Sequence, residues 1–341
     1  MPPRPLRPAA LAWQVFRGST AIHDRLLTRH QLRGASWVRL MHDVYADSRL
    51  DRDHALVCRA AALRLPSGVV VAGPSAAYLH GVEHAATFSD DVHVLAPGWL
   101  RLGSQRGIRV HTTGPHLPPS TGVVRQATTV RHGTQAWPSR LPAGQFGGRP
   151  AWQPDSQPDP DGAVKHLPSR SDPASSAWEC AVWLSPVHAV RIIDTLLRQG
   201  LVSCAGLDAI AVANADRPGG RRARWVFGLA DPGAQSPPES QLRVRLVLSG
   251  LPRPVTQHPV RLPSGLILHP DLAWPDYQVA VEYDGQWHVD PDQIHLDRQR
   301  LNQFVGAGWR VLHVTSRRLH HDFPRLLREV RTALTNAGWR P

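Results

Sequence analysis

Lysine is almost missing from this 341-residue chain, where Lys165 stands alone against 38 arginines. No lysine follows it, so any acid or base chemistry in the C-terminal third must use another side chain. A bias this complete fits genome-wide base composition as well as a polyanionic partner, so the net charge of +12 does not by itself decide for nucleic acid. Cysteine is scarce too. Cys58, Cys180 and Cys204 lie far apart and form no CxxC pair, which argues against a structural zinc module or a disulfide framework and fits a reducing compartment. No apolar run approaches the roughly 20 residues of a membrane span. The opening MPPRPLRPAALAWQVF holds too short an apolar stretch for a signal peptide. The expectation is a soluble, cytoplasmic protein.

The chain does have material for cores, with 42% hydrophobic residues, while 32 prolines and 27 glycines predict much irregular backbone. Its length predicts two or three domains. Residues 1–50 read as a small unit in which Thr28 caps a short helix that Gly34 ends, followed by an alternating hairpin arm, WVRLMHDVYADS. Residues 51–131 open with a helix over DRDHALVCRAAALRL. The strand GVVVAG, the helix PSAAYLHGV and the strands DVHVLAP and GIRVHTT follow. Residues 132–176 are Pro, Gly, Ser and Asp without period and predict a disordered insertion. Order returns over 177–232: one helical pattern from AWEC to GLVS, a short helix LDAIAVANA, and PGGRRARW as a turn with three arginines. DPGAQSPP reads as a linker opening a last domain, 233–341.

That domain predicts the order α-β-β-β-α-β-α: ESQLRVRLVLSGL, then PVTQHPVRL, GLILHPDLAW and QVAVEYDG, then PDQIHLDRQRLNQFVGAG, WRVLHVT and DFPRLLREVRTALTNAG with Asp322 as cap. Its charge is segregated. Residues 271–297 carry Asp271, Asp276, Glu282, Asp284, Asp290, Asp292 and Asp297 with no Arg or Lys, and residues 298–341 carry nine arginines against Asp322 and Glu329. An acidic patch followed at once by a basic stretch suits a cation site beside a phosphate-binding surface, although solvated acidic loops also produce it. Strand alternation puts Glu282 and Asp284 on one face, and a hairpin brings Asp271 beside Glu282. Converging carboxylates make a hard oxygen site for magnesium or manganese. Glu239, on the domain's first helix, can add a ligand or simply favour the helix dipole. Asp284 before Gly285 can equally be turn chemistry.

The segment resembles the PD-(D/E)XK nuclease superfamily on Pro270-Asp271, a ten-residue gap and Glu282-Tyr283-Asp284. In detail it is similar to a domain family of unknown function allied to the very-short-patch repair endonucleases, on ESQLR, PDLAW, VEYDGQWH and DRQRLNQFVGAGWRVLHVT. The likeness covers residues 237 to 335. It implies an α/β fold with a restriction-endonuclease-like mixed-sheet domain and metal-dependent hydrolysis of DNA phosphodiesters. Asp271, Glu282 and Glu239 would hold Mg2+ or Mn2+, and Asp284 would belong to the catalytic set. The superfamily lysine is replaced by Asp284, which leaves His288 as the proton shuttle. Gln286, Arg298, Arg300, Arg317 and Arg318 are the candidate DNA contacts. The N-terminal half is similar to AbiEi-type antitoxin proteins on LLTRHQLRG, VYADS, VVVAGPSAAYLHGV and AVRIIDTLLRQGLV. That likeness implies a partial winged helix-turn-helix and a mixed α/β middle domain before the nuclease-like domain. It also raises the rival expectation of a non-catalytic DNA-binding regulator. Either reading leaves room for a protein partner, a toxin or a repair or restriction component.

Overall fold

The computed structural model describes residues 7–113, 123–124, 167–262, 264–285 and 291–341, with backbone alone at 123 and 291–298. The expected disorder of 132–166 lies outside these residues, as do Gln286 and His288.

The first unit holds β1 (Val15–Arg17), α1 (Gly18–His23), β2 (Trp37–Met41) and β3 (Val44–Asp47), with an antiparallel sheet in the order β1-β3-β2. Phe16, Leu27, Leu32 and Trp37 form its core. The helix expected between Thr28 and Gly34 is one 3-10 turn, Gln31–Arg33. Thr28 Oγ1 accepts from the Gln31 N–H at 3.2 Å while Gln31 Oε1 accepts from the Thr28 N–H at 2.7 Å. This reciprocal cap closes the turn, and Gly34 stops it before a second turn forms.

The middle unit begins with α2 (His54–Ala62), whose cap Asp53 accepts from the Leu56 N–H at 2.8 Å. Next come β4 (Val70–Val71), α3 (Gly73–Leu79), β5 (Val92–Ala96), β6 (Ile108–Thr112), β7 (Val123–Val124) and β8 (Arg170–Ser171). The strands make a mixed sheet in the order β6-β5-β4-β8-β7, with β5/β6 and β4/β8 parallel. Four helices follow: α4 (Pro173–Trp183), α5 (Pro186–Arg198), α6 (Cys204–Ala213) and α7 (Gly220–Gly228). Ile192, Ile193 and Leu196 of α5 are fully buried among them. Each contributes about 1.5–3 kcal/mol of apolar burial.

Three sequence expectations are corrected in this unit. Order resumes by residue 167, so 167–176 do not belong to an insertion. Asp172 caps α4 through the Ser175 N–H at 2.9 Å and Pro173 takes the first helical position, where its missing N–H costs nothing. The pattern from AWEC to GLVS is two helices, because Ser185-Pro186 starts a new one. PGGRRARW is helix α7. Only Pro218 and Gly219 belong to the turn: Gly219, at φ +91°, precedes an Arg-rich run of good helix formers that Gly220 opens.

The last unit contains α8 (Pro237–Leu248), β9 (Val255–Thr256), β10 (Val260–Arg261), β11 (Ile267–Leu268), β12 (Leu272–Trp274), β13 (Val279–Asp284), α9 (Pro291–Gly306), β14 (Arg310–Thr315), α10 (Ser316–His321) and α11 (Phe323–Asn336). The order β14-β13-β12-β9 is mixed, with β13/β14 parallel and the other pairs antiparallel. Leu272, Val279, Val281 and Val314 pack with α8 and α11, including Leu242, Leu246, Leu326 and Val330. Phe304 of α9 packs with the β10–β11 hairpin through Val260, Leu262 and Leu268. The two long strands expected before QVAVEYDG are broken in two, since Pro259 and Pro270 lack the amide a continuous ladder needs and Gln257 turns the chain at φ +51°. Helix α10 was not expected. Asp322 makes no side-chain cap for α11, whereas Thr315 caps α10 through the Arg318 N–H at 3.4 Å.

DPGAQSPP is a packed joint and not a free linker. Asp231 N–H donates to Asp194 Oδ1 at 2.8 Å, Thr256 Oγ1 donates to Asp231 Oδ1 at 3.0 Å, and Ala234 is buried.

Candidate acidic site on the C-terminal sheet

The register Leu272↔Val281 places Asp271 opposite Glu282, as alternation predicts. Glu282 in turn faces His313 on β14, and Asp284 faces Thr315. Asp271, Glu282 and His313 therefore share the sheet face away from Leu312 and Val314, the face on which α9 lies.

Asp271 is half-buried and well held. Its Oδ2 accepts from the Tyr283 N–H at 2.7 Å and its Oδ1 from Gln257 Nε2 at 3.2 Å. Burial, and after it the carboxylates of Glu239 and Glu282, push its pKa up to about 7 against those donors. Glu239 is buried at the start of α8 and works as a cap. Its Oε1 accepts from Ser236 Oγ at 2.7 Å and its Oε2 from the Gln235 N–H at 2.9 Å. Burial raises its pKa as well, while Gln257 reaches it and so bridges the two acids. Gln257 and His313 were missed in the sequence, the first because its role depends on a left-handed backbone and the second because it sits across a crossover.

Glu282 has a cation beside it. Its Oε1 lies 2.9 Å from Arg300 Nε and 2.7 Å from Arg300 Nη2, and the same guanidinium donates to the His269 carbonyl at 2.9 Å. Arg300, expected to contact DNA, is thus spent on an internal pair. His313 Nε2 stands 3.9 Å from Glu282 Oε2 and is buried without a hydrogen-bond partner among the described residues. Asp284 ends β13 half-buried. Arg318 is also used internally, donating to the His313 carbonyl at 2.7 Å and to Glu329, while Arg317 is exposed on α10. The side chain of Arg298, like Gln286 and His288, lies outside the described residues.

The structure gathers Asp271, Glu282 and Glu239 into one electrostatic cluster. Among the described residues, however, no three His, Cys, Asp or Glu side chains lie close enough to share one metal ion. The donor type fits a hard divalent cation, and Asp271 keeps lone pairs beyond the two it has committed. The counter-charge that the fold itself supplies is Arg300.

Two curated relatives, described as uncharacterized proteins of two strains of Mycobacterium tuberculosis, are each 27% identical to the chain over 294 residues, covering 84% of it and 89% of their own length. No family model and no solved structure matches. Among the described residues no helix is long and apolar enough to cross a membrane.

Proposed function

We propose that the C-terminal unit is a PD-(D/E)XK-type endonuclease that hydrolyses DNA phosphodiester bonds with Mg2+ or Mn2+. The observation that carries the reading is Asp271 set opposite Glu282 across an antiparallel pair, with Glu239 near enough to raise its pKa. The element order from α8 to α11, with one parallel and two antiparallel strand pairs, supports the same reading. Asp271 and Glu282 would hold the ion, which supplies a Lewis acid and an activated water, and Glu239 would assist from the start of α8. Asp271 gives up its proton to become a ligand, and Gln257 holds its carboxylate in place. His288 is the proton acceptor expected from the sequence, and His313 is the described histidine placed to serve Glu282. Arg317 and Arg298 would meet phosphate.

Incubating the full chain with supercoiled plasmid and either ion tests this. Nicking is expected, reduced by at least about 100-fold in Asp271→Ala. No nicking, or equal nicking by the variant, removes the enzymatic reading.

The Arg300–Glu282 pair favours a second reading, a DNA-binding regulator that keeps the nuclease fold as a scaffold with a guanidinium where the ion would sit. The partial winged helix-turn-helix would then make the contact, although its helical turn Gln31–Arg33 is far shorter than a recognition helix. A regulator binds duplex DNA equally with and without chelator, whereas the nuclease binds an ion detectably by calorimetry.

A further inference from the structure

β14 is the outer strand of its sheet, and among the described residues no other strand pairs with its free side. The Arg310 N–H donates to the Gln278 carbonyl at 2.8 Å on the β13 side. Alternation then turns the main-chain groups of Val311 and His313 outward. The His313 carbonyl indeed accepts from Arg318, which closes that end of the edge. The N–H and C=O of Val311 and the N–H of His313 remain for a neighbour.

A groove of about 460 Å³ runs between this edge and α11. Leu312 and Ala333 give it an apolar floor with Thr332, and Arg310, Arg325 and Arg328 line it as exposed cations. Its one acid, Glu329, is already neutralised by Arg318 and Arg325. Open strand edges invite pairing, and natural proteins guard them with charge. Here the charge is of one sign, so it repels basic strands and attracts acidic ones.

We propose that this groove docks an extended acidic segment of a partner protein, added as a strand to β14 with its carboxylates on Arg310 and Arg328. Phosphate would answer the arginines as well. A nucleic-acid backbone, however, has no alternating amides and carbonyls to match Val311 and His313, and no small apolar side chains for the floor. The groove lies on the Leu312 side of the sheet and the carboxylate cluster on the other, so docking here does not depend on the nuclease reading.

The test uses the full chain and a fluorescein-labelled peptide of alternating glutamate and valine, followed by anisotropy, with a lysine–valine peptide as control. Saturable binding of the acidic peptide only is expected, weakened at least about tenfold by Arg310→Glu combined with Arg328→Glu at unchanged circular dichroism. Slowed hydrogen exchange at Val311 and His313 in the complex is expected for strand addition. Absence of saturable binding, equal binding of the lysine peptide, or indifference to the charge reversal overturns the proposal. So does unprotected Val311 in the complex. Displacement of the peptide by a short DNA duplex would assign the groove to nucleic acid instead, and sedimentation showing β14-dependent self-association would assign it to a second copy.

Discussion

Asp271 is the side chain on which the chemistry of the C-terminal unit turns, and its proton gives a direct measurement. In the unfolded chain it ionises near 3.8, while in the fold burial, Glu239 and Glu282 hold the proton on up to about 7. Between those values the unfolded chain has released a proton that the fold keeps, so stability falls as pH rises from about 4 to about 7 and levels above it. Each unit of upward shift corresponds to about 1.4 kcal/mol. Asp271→Asn is expected to remove that slope and to be the more stable form at pH 8. Urea unfolding of both proteins across this range checks it, and identical slopes would show that neither burial nor the neighbouring acids hold the proton on Asp271. A bound divalent ion needs the ionised form, so its affinity is expected to rise through pH 7. The Asp271–Glu282 opposition was legible because strand alternation is exact and the two strands are close in sequence. Arg300 and His313 were not, because a crossover through α9 fixes their register to Glu282 and no local pattern records that register.

At the scale of elements, capping partners and packing were the least legible: Thr28 closes a single 3-10 turn, Asp322 caps nothing, and the caps Asp172 and Ser185 were read past. Helix α2 was expected over residues 51–65 because Pro66 and Gly68 close it, and it runs His54–Ala62 because Asp53 caps it, whereas α7 was hidden behind Pro218-Gly219-Gly220. Nothing in the sequence announces the latch between α3 and α4. Glu179, 2% exposed, accepts from the Gly73 N–H at 2.6 Å and from Ser171 Oγ at 2.7 Å, so it ties the start of α3 to the end of β8. Burial raises its pKa to about 7. Glu179→Ala leaves the Gly73 N–H buried without an acceptor and Ser171 Oγ with only the Val71 carbonyl at 3.3 Å, and is expected to cost about 2–4 kcal/mol. Glu179→Gln keeps one carbonyl acceptor and is expected to cost less. Urea midpoints measure both, and a loss below about 1 kcal/mol for the alanine variant would remove the latch from the account.

The whole molecule departs furthest from the sequence reading at the boundary drawn at residue 233. Helix α8 belongs to two cores, with Val244 packed among the helices of the middle unit and Leu242 and Leu246 against the C-terminal sheet. Arg243, 1% exposed, pairs with Asp194 of α5 at 2.8 Å and donates to the Leu229 carbonyl at 2.6 Å. In a fragment of residues 233–341, Arg243 would lose this carboxylate and Val244 its apolar neighbours. Removing one partner of a buried pair costs about 3–5 kcal/mol, a large share of a domain's total stability. Arg243→Ala in the full chain is expected to cost that much and to destabilise both units in a single transition. The isolated fragment is expected to unfold at lower urea concentration than the same segment in the full chain, followed by hydrogen exchange of the buried strand residues Val281 and Val314. Equal midpoints would mean that the C-terminal unit folds alone and that α8 is merely docked on its neighbour. A lower midpoint would mean that the middle unit steadies the acidic cluster, because Glu239 reaches Asp271 from the helix that Asp194 anchors.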